Sequence, residues 1–492
     1  MGVQSKHFVN APVSLVIQSL QGLCTINPNV SLDVADKVVH LIDHDKSKVA
    51  IICGGGSGHE PAHAGFVGYG MLTAAVCGNI FASPGPNQVK RGIELAGNDA
   101  GTLIIVKNYT GDVLNFGLAK EQHAAAHPEK ADRVKFLVVG DDVAVGKSQG
   151  SIVGRRGLAG TVIVYKIAGA FAQTGASLEE VYKVSEWVSN RLATVGVGLD
   201  HCHVPGTATG ESHLQGSEVE IGMGIHNEPG TKRVSPVPPL NELIEQLLDL
   251  LLSQSDTERS FLPVTGDNDE VVLMVNNLGG VSELELAGVV REVEKNLSRR
   301  HVGVQRVLSG TYMTSLNMPG FSITLLLLPS KGDSDAPPAD FLLRLLDAPT
   351  SAPGWKWSSG KPPSRQSSQP ASHESSASSV LGERATRLSA AEPSDFVDAI
   401  RRACQAVDQE EPEITRMDTV AGDGDCGLTL QAGARAVLED IRSQKISGDD
   451  VVGCMIVLSS IAADKMGGTS GAIYSCVPRA SVHTCYDIHS LL

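Results

Sequence analysis

The sequence lacks several features that define common classes of protein. Its nine cysteines are scattered and form no C-x-x-C pair, which favours reduced thiols over a disulfide framework or a zinc site. No stretch approaches the ~18 consecutive apolar residues of a membrane-spanning helix, and the N-terminus has no apolar signal core. We therefore predict a cytoplasmic protein that does not bind membranes.

Positive charge is also scarce. The formal net charge is −15 and the pI is near 5.5. This balance argues against a surface that binds nucleic acid, so we expect no nucleic-acid partner. It does not argue against a phosphate-bearing substrate, because a bound metal cluster can reverse the local field.

The chain is long enough for two or more domains with real cores, since 42% of its 492 residues are hydrophobic. Residues 1–200 alternate β-rich runs with helical patterns, which indicates parallel strands covered by helices. We predict an α/β domain over residues 1–357, with subdomains of about 1–195 and 196–357. The predicted strands are 49–53, 102–106, 134–139, 219–225, 271–275 and 322–328, and 160–175 is predicted to be a helix.

The composition shifts to Ser, Pro, Gly and Lys beyond about residue 348. Residues 358–379 contain too few apolar side chains to bury a core, so we predict a flexible linker over 358–389. An all-α domain is expected over 390–475, with Ser394 or Asp395 as the first N-cap and further helices at 433–441 and 451–465.

The most informative stretch is a β-rich run that ends in the glycine-rich loop GGGSGHEP, residues 54–61. Glycines let a backbone approach a ligand closely, and ligands usually bind at the carboxyl ends of strands in α/β sheets. Pro61 suits the first position of a helix. The glycines alone fit a tight turn about equally well, but His59 and His63 beside them favour a functional site.

Two further strand-to-loop junctions carry titratable side chains. One contains Lys107 and Asp112, and the other begins at His226. Taken singly, Asp112 also fits a turn aspartate and Lys107 a surface charge. Three such loops in one α/β region favour a crevice that binds a small polyol or ketone.

Three carboxylates lie together near the C-terminus, on Asp418, Asp423 and Asp425. Mg²⁺ prefers oxygen ligands and usually takes a few carboxylates. Residues 426–429 follow these aspartates directly, and residues 467–471 lie in the same predicted domain. The backbone N–H groups of both stretches are suited to binding phosphates. A solvated acidic loop is the alternative.

These motifs together resemble the dihydroxyacetone kinase family, and within it the single-chain, ATP-dependent triokinase type of animals. The matching stretches are residues 54–65, 107–112, 154–157, 224–226 and 421–427, in the same order as in the family. The resemblance implies a substrate domain of two α/β subdomains followed by an all-helical nucleotide domain.

The resemblance also implies residue roles. It assigns His226 to a hemiaminal with the ketone, Asp112 to the base that acts on the substrate hydroxyl, and His59 to substrate binding and assistance. Further substrate contacts are implied for Gly56, Ser57, Gly58 and Lys107. The implied ligands of two Mg²⁺ ions are Asp418, Asp423 and Asp425. Nucleotide contacts are implied for Cys426, Gly427, Leu428, Thr429, Thr469 and Ser470.

The implied substrates are dihydroxyacetone, glyceraldehyde and ATP, and FAD if the chain also has FAD-AMP lyase activity, for which Mn²⁺ or Co²⁺ is the implied metal. A homodimer is implied as well. The likeness stops near Ser475, so we expect residues 476–492 to be unrelated to the family and the helical domain to be truncated, since relatives continue for on the order of 100 residues. Two hypotheses follow: an ATP-dependent kinase, or a non-catalytic module that only binds dihydroxyacetone.

Overall fold

The computed structural model of the chain describes residues 5–9, 11–208, 213–266, 268–330, 333, 336–364 and 388–489. The chain divides into two compact units, Met1–Arg365 and Gln366–Leu492. Most of the linker predicted over 358–389 falls on residues 365–387, which lie outside the described residues. Within the described part of the chain, no helix has both the length and the apolar character needed to cross a membrane.

The first unit begins with a six-stranded sheet in the order β1-β2-β4-β3-β5-β6. Its strands are β1 Val30–Asp33, β2 Val38–Leu41, β3 Ala50–Ser57, β4 Ala74–Ile80, β5 Thr102–Lys107 and β6 Val134–Val139. Its helices are α1 Pro12–Ile26, α2 Pro86–Leu95, α3 Thr110–Ala126, α4 Gly160–Gln173 and α5 Leu178–Asn190. The four strands β3 to β6 pair in parallel, which confirms the predicted arrangement.

The central strands are apolar throughout because helices cover both faces of the sheet. On β3, Ile51 and Cys53 point into a core shared with α1, α4 and α5. The alternate residues Ala50 and Ile52 point into a second core, shared with α2 and α3. A strand buried on both faces reads as a continuous apolar run, and this is the pattern that predicted β3.

A second six-stranded sheet follows, in the order β11-β10-β12-β7-β8-β9. Its strands are β7 Leu192–Gly198, β8 Val219–Ile221, β9 Lys232–Val234, β10 Glu270–Asn277, β11 Gly303–Gly310 and β12 Gly320–Leu327. Its helices are α6 Leu240–Leu252, α7 Glu283–Arg299 and α8 Ala339–Asp347. Only β10 and β11 pair in parallel, and the other neighbours are antiparallel. Helix α4 packs between the two sheets, since its side chains share one core with strands of both.

One expectation for this region was wrong. The strand predicted over 219–225 ends at Ile221, because Gly222 has a φ of +83° and turns the chain away from the sheet. The subdomain boundary expected at about residues 195/196 stays a prediction; β7, which spans these residues, pairs with β12 and β8. The chain passes from the first sheet to the second between β6 and β7. The sequence of an apolar strand does not indicate which of the two sheets the strand joins.

Asp141, which follows β6, joins the two sheets. Its carboxylate accepts hydrogen bonds from the backbone N–H groups of Leu158 and Gly160 at 2.6 and 2.9 Å. It also accepts one from the hydroxyl of Thr194 on β7 at 2.5 Å. Because Asp141 is fully buried, these donors replace the water that its carboxylate loses on folding.

Over its described residues, 388–489, the second unit contains helices and no strands, as predicted. Its helices are α9 Pro393–Ala421, α10 Cys426–Arg442, α11 Val451–Ile461 and α12 Gly468–His489. Their core contains Val437, Ile441 and Cys454, with Phe396 and Ile400 of α9 packed against it.

The helix bounds differ from those expected. The N-cap of α9 is Glu392 rather than Ser394 or Asp395, because Pro393 occupies the first helical position, where its fixed φ is already suitable. The helix predicted over 433–441 begins earlier, at Cys426. The helix predicted over 451–465 ends at Ile461 and continues as the wider π turn Ala462–Met466.

Replacement of Asp141 by alanine tests its role between the sheets. We expect Asp141→Ala to lower the free energy of unfolding by about 3 kcal/mol, because the buried donors lose their acceptor. Denaturant titration followed by circular dichroism measures this change. Asp132→Ala, at an exposed position, is the control and should change stability by no more than about 0.5 kcal/mol. Equal effects of the two substitutions would contradict the role given to Asp141.

Candidate functional site

The glycines at residues 54–56 and 58 lie close to neighbouring atoms, and the first three belong to β3, which runs on to Ser57 beyond the strand predicted over 49–53. A Cβ on Gly54 would lie 2.1 Å from the carbonyl oxygen of Val76, and one on Gly56 would lie 2.7 Å from the amide of Ala82. Gly58 has a φ of +102°, which side chains disfavour. The prediction of a helix that begins at Pro61 was wrong. The chain forms only a short 3₁₀ turn, Ala64–Phe66, whose residues are buried.

The loop brings His59 into contact with His226. The Nε2 atoms of the two rings are 3.1 Å apart. His59 is fully buried, and its Nδ1 donates to the carbonyl oxygen of Thr314 at 2.8 Å. Burial, together with the positive charge of Lys107, holds the pKa of His59 well below its usual value. The site therefore joins a loop of the first sheet to a loop of the second.

A carboxylate orients the ring of His226. Glu228 accepts from the backbone N–H of His226 at 2.8 Å and from its Nδ1 at 3.1 Å. Burial opposes ionisation of Glu228, but the hydrogen bonds and charge of His226 and the charge of Arg156 lower its pKa to about 2. Gly224 makes room for this arrangement, since a Cβ there would lie 2.2 Å from the Glu228 carboxylate.

Lys107 and Asp112 form the charged part of the same site. Lys107 ends β5, and Asp112 lies in the first turn of α3; both side chains are buried. Burial lowers the pKa of Lys107 and raises that of Asp112, and each charge partly opposes the shift of the other. Ser83 also acts against the rise in the pKa of Asp112. Oδ1 of Asp112 has no protein partner among the described residues.

Two aromatic rings that the sequence analysis missed surround the histidines. The edge of His226 meets Tyr109 and Phe81, with ring centroids 4.6 and 5.1 Å away. Phe81 also stacks on His59 at 5.1 Å. Tyr109 lies within the motif at 107–112, so the sequence contained a signal that could have identified it as a site residue. Phe81 follows β4 with no motif, and nothing in the sequence singled it out.

A cavity of about 380 Å³ lies beside the loop. Gly56, Ser57 and His63 line it, and residues of α1 form another part of its wall. The Ser57 hydroxyl donates to the carbonyl oxygen of Gly78 at 2.8 Å. Of the three substrate-contacting positions expected at residues 56–58, Gly56 and Ser57 lie at the end of β3 on the wall of this cavity, and Gly58 follows them in the chain next to His59.

The second unit contains the predicted acidic cluster. Oxygens of Asp418, Asp423 and Asp425 lie within 4.8 Å of one another. Asp418 is in the last turn of α9, so the stretch is not wholly a turn as expected, and the other two follow in the loop before α10. The negative charge of Asp423, together with burial and Asp418, raises the pKa of Asp425. Three hard oxygen donors at this spacing fit a divalent cation such as Mg²⁺.

Both predicted phosphate-contacting stretches lie at helix N-termini in this unit. Residues 426–429 form the first turn of α10, and Thr469 and Ser470 lie in the first turn of α12. Gly427 lets α10 approach α9 closely, because a Cβ there would lie 2.2 Å from the Thr415 hydroxyl. The Cys426 amide donates to Asp418 at 3.1 Å, so its N–H is engaged by the acidic cluster.

Two family models match the chain. The Dak1 domain model matches residues 21–354, and the DAK2 domain model matches residues 420–491. Dihydroxyacetone kinase of Pichia angusta is 43% identical over 99% of this chain and 80% of its own length. The chain belongs to the dihydroxyacetone kinase family.

Other members of the dihydroxyacetone kinase family show the same relationship. Triokinase/FMN cyclase of Homo sapiens is 38% identical over 96% of this chain and 78% of its own length. The crystal structure of the dihydroxyacetone kinase of C. freundii in its native form matches with a TM-score of 0.68 and 32% identity, covering 98% of this chain and 83% of that chain. A complex of that enzyme with AMP-PNP and Mg²⁺ matches with a TM-score of 0.67 and 32% identity, over the same shares of the two chains. The chain therefore has the architecture of the family, an α/β Dak1 region followed by an all-α DAK2 region.

The DAK2 match also extends over residues 476–491, for which the sequence analysis expected no likeness to the family. Helix α12 runs through the same segment as far as His489. The chain spans about four-fifths of the single-chain relatives named above, at 80% and 78% of their lengths.

The low pKa of Glu228 has a consequence for stability. Its folded-state pKa of about 2 lies below its ordinary value of 4.5, so its contribution is present above pH 4.5 and is lost as the pH falls towards 2. We expect Glu228→Gln to cost about 2 kcal/mol at pH 7 and much less near pH 2. Chemical denaturation at several pH values measures this. The exposed Glu245→Gln is the control, and a cost that does not depend on pH would contradict the expectation.

The acidic cluster predicts stabilisation by Mg²⁺. At a concentration 100 times its Kd, Mg²⁺ should stabilise the second unit by about 2.7 kcal/mol, because it binds only the folded form. Thermal unfolding with and without EDTA measures the effect. We expect Asp423→Asn to abolish it and the exposed Glu410→Gln on α9 to leave it unchanged. Equal stabilisation of both variants would place the ion elsewhere.

Proposed function

We propose that the chain catalyses the ATP-dependent phosphorylation of dihydroxyacetone. The observation that carries this proposal is the contact of His59 with His226 beside Lys107 and Asp112. It is supported by relatives named dihydroxyacetone kinase at 43% and 42% identity and by the solved complex of such an enzyme with AMP-PNP and Mg²⁺.

The hydrogen bonds of the two histidines indicate where their protons lie. Nδ1 of His59 faces a carbonyl oxygen, which only accepts, so this nitrogen carries a proton. Nδ1 of His226 faces the ionised Glu228 and carries a proton for the same reason. The 3.1 Å contact between the Nε2 atoms then requires one further proton, shared by the two rings.

In the proposed first step this proton moves to His59, which frees the lone pair on Nε2 of His226. That nitrogen forms a bond to the ketone carbon as the carbonyl π electrons move to oxygen, and His59 returns the proton to this oxygen. The product is a hemiaminal, and the His226 ring, which becomes positively charged when the C–N bond forms, lies beside Glu228. Glycerol has no carbonyl group, so bond formation rather than shape excludes it.

In the proposed second step Asp112 acts as the base. It takes the proton of a terminal hydroxyl while the hydroxyl oxygen bonds to the γ-phosphorus of ATP and the bond from that phosphorus to the ADP oxygen breaks. Burial raises the pKa of Asp112 and so makes it a better proton acceptor, while Lys107 keeps it ionised. We propose that residues 56–58 contact the substrate from the loop.

The second unit is proposed to hold the nucleotide. Asp418, Asp423 and Asp425 would hold Mg²⁺, which neutralises charge on the triphosphate when it is bound. Backbone N–H groups at the starts of α10 and α12 suit the phosphate oxygens, except those of Cys426 and Thr429, which donate to Asp418 and to the carbonyl oxygen of Asp425. The positive ends of these helices add to the attraction. The residues proposed to contact the nucleotide are Cys426, Gly427, Leu428, Thr429, Thr469 and Ser470.

The finer expectations stay predictions. Glyceraldehyde has the carbonyl group that His226 requires, so it is a proposed second substrate. The name of the human relative, triokinase/FMN cyclase, favours a second activity that cleaves FAD, with Mn²⁺ or Co²⁺ as its proposed metal. A homodimer is also proposed.

Turnover of dihydroxyacetone with ATP and Mg²⁺, measured in a coupled assay, tests the proposal. We expect His226→Ala and Asp112→Asn each to lower kcat/KM by roughly 100-fold or more, because one loses the nucleophile and the other the base. The surface substitution His127→Ala is the control. An equal rate for His226→Ala would remove His226 from the mechanism. Binding of dihydroxyacetone by the unaltered chain without turnover would favour the binding-only alternative.

A further inference from the structure

A buried group of three side chains lies behind the glycine-rich loop and has no part in the mechanism above. The hydroxyl of Tyr165, on α4, is 2.5 Å from Nδ1 of His63 and 2.9 Å from the sulfur of Cys53. The sulfur of Cys53 is 3.4 Å from the same nitrogen. All three side chains are buried, with at most 3% of their surface exposed.

The three side chains are uncharged near neutral pH. Burial raises the pKa of Cys53 to about 12 and that of Tyr165 well above its usual value. Burial and the charge of Lys107 hold the pKa of His63 well below its usual value. A neutral imidazole has one N–H and one bare nitrogen, so the position of its proton depends on its partners.

The partners of His63 place that proton on Nε2. An imidazole nitrogen accepts a hydrogen bond better than a thiol sulfur does, so the Tyr165 hydroxyl donates to Nδ1 of His63. The thiol of Cys53 can then donate to the tyrosine oxygen or to the carbonyl oxygen of Gly54. With Nδ1 accepting, Nε2 of His63 carries the hydrogen.

Nε2 of His63 faces Asp112 across Gly55. A Cβ on Gly55 would lie 3.1 Å from Nε2 of His63 and 3.2 Å from Oδ2 of Asp112. Among the described residues, neither Nε2 of His63 nor Oδ1 of Asp112 has a protein hydrogen-bond partner. A buried N–H donor and a buried carboxylate thus face one small space, which any side chain at this position would fill.

We propose that His63 is a positioning residue for Asp112, with its Nε2–H directed across Gly55 to orient the carboxylate and to stabilise its ionised form. This inference rests on the proposed function, in which Asp112 is the base. The bridge across Gly55 is completed by the substrate hydroxyl or by a water molecule, each of which can accept from His63 and donate to Asp112. Tyr165 acts through His63, because its hydroxyl selects the tautomer that has Nε2–H.

The groups that face Asp112 come from several elements and act in different directions. Lys107 of β5, Ser83 after β4 and His226 of the second sheet all favour the ionised carboxylate, whereas burial opposes it. Loss of the His63 donor removes one favourable contribution, so the pKa of Asp112 should rise. Activity and substrate binding that require the ionised form should then need a higher pH.

The test compares His63→Phe, His63→Gln and Tyr165→Phe. We measure the pH dependence of kcat at saturating dihydroxyacetone and, by calorimetry, the pH dependence of the Kd for dihydroxyacetone. For His63→Phe we expect kcat at neutral pH to fall roughly 10- to 100-fold and the acidic limb of both profiles to move up by about one pH unit. His63→Gln should restore most of the wild-type profile, because its amide N–H can replace Nε2–H.

Tyr165→Phe keeps the imidazole and removes only the hydroxyl that fixes its tautomer, so it tests the inference if His63→Phe does not fold. It should shift the acidic limb in the same direction by a smaller amount. The matched control is Tyr312→Phe, which removes the hydroxyl of another buried tyrosine whose oxygen has no partner among the described residues. This control should leave both profiles unchanged.

Unshifted acidic limbs in both His63→Phe and Tyr165→Phe would overturn the inference. A fall in kcat without a shift of the limb, or no rescue by His63→Gln, would assign His63 a packing role and overturn it as well. Asp112→Asn, measured in parallel, separates this from failure of the proposed function. If Asp112→Asn retains the wild-type rate, or if the unaltered chain binds no dihydroxyacetone, the proposed function itself fails.

Discussion

The site depends on the contact between Nε2 of His59 and Nε2 of His226. Each ring is fixed at its other nitrogen, by Thr314 in one case and by Glu228 in the other. His59 belongs to the first sheet and His226 to the second, so the contact exists only when both sheets are packed on α4. Asp141 strengthens the same junction, since it accepts hydrogen bonds from the start of α4 and from β7.

Burial is the second constraint on the site, and it acts on charges of both signs. It weakens the charged forms of His59, Lys107 and Asp112; the opposite charges of Lys107 and Asp112 partly compensate each other, whereas the charge of Lys107 adds to the effect of burial on His59. Glu228 differs from these residues, because the effect of its hydrogen bonds and neighbouring positive charges exceeds that of burial and lowers its pKa. The acidic cluster of the second unit is open to solvent by comparison, and its mutual repulsion favours a bound cation.

Much of the fold was predictable because local hydrophobic patterns in the sequence indicate where the strands and helices lie. Strand β6 has the predicted bounds, and β3 and β5 lie where apolar runs indicated them. The strand prediction for β8 failed because a single residue, Gly222, redirects the chain, and no sequence pattern marks the change of sheet before β7. Neither event alters the hydrophobic pattern, so the sequence contains no local signal for it.

The sequence alone was enough to single out most of the residues that are proposed to carry the chemistry. The loops with His59, Lys107 and Asp112 follow apolar strands, and three aspartates stand close together along the chain. Only the tertiary structure decided which side chains surround them, including Glu228 against His226, Phe81 against both rings and Tyr165 behind His63. Glu228 is only two residues from His226, but Phe81 and Tyr165 come from other parts of the chain, and the packing of two sheets on one helix brings them to the histidines.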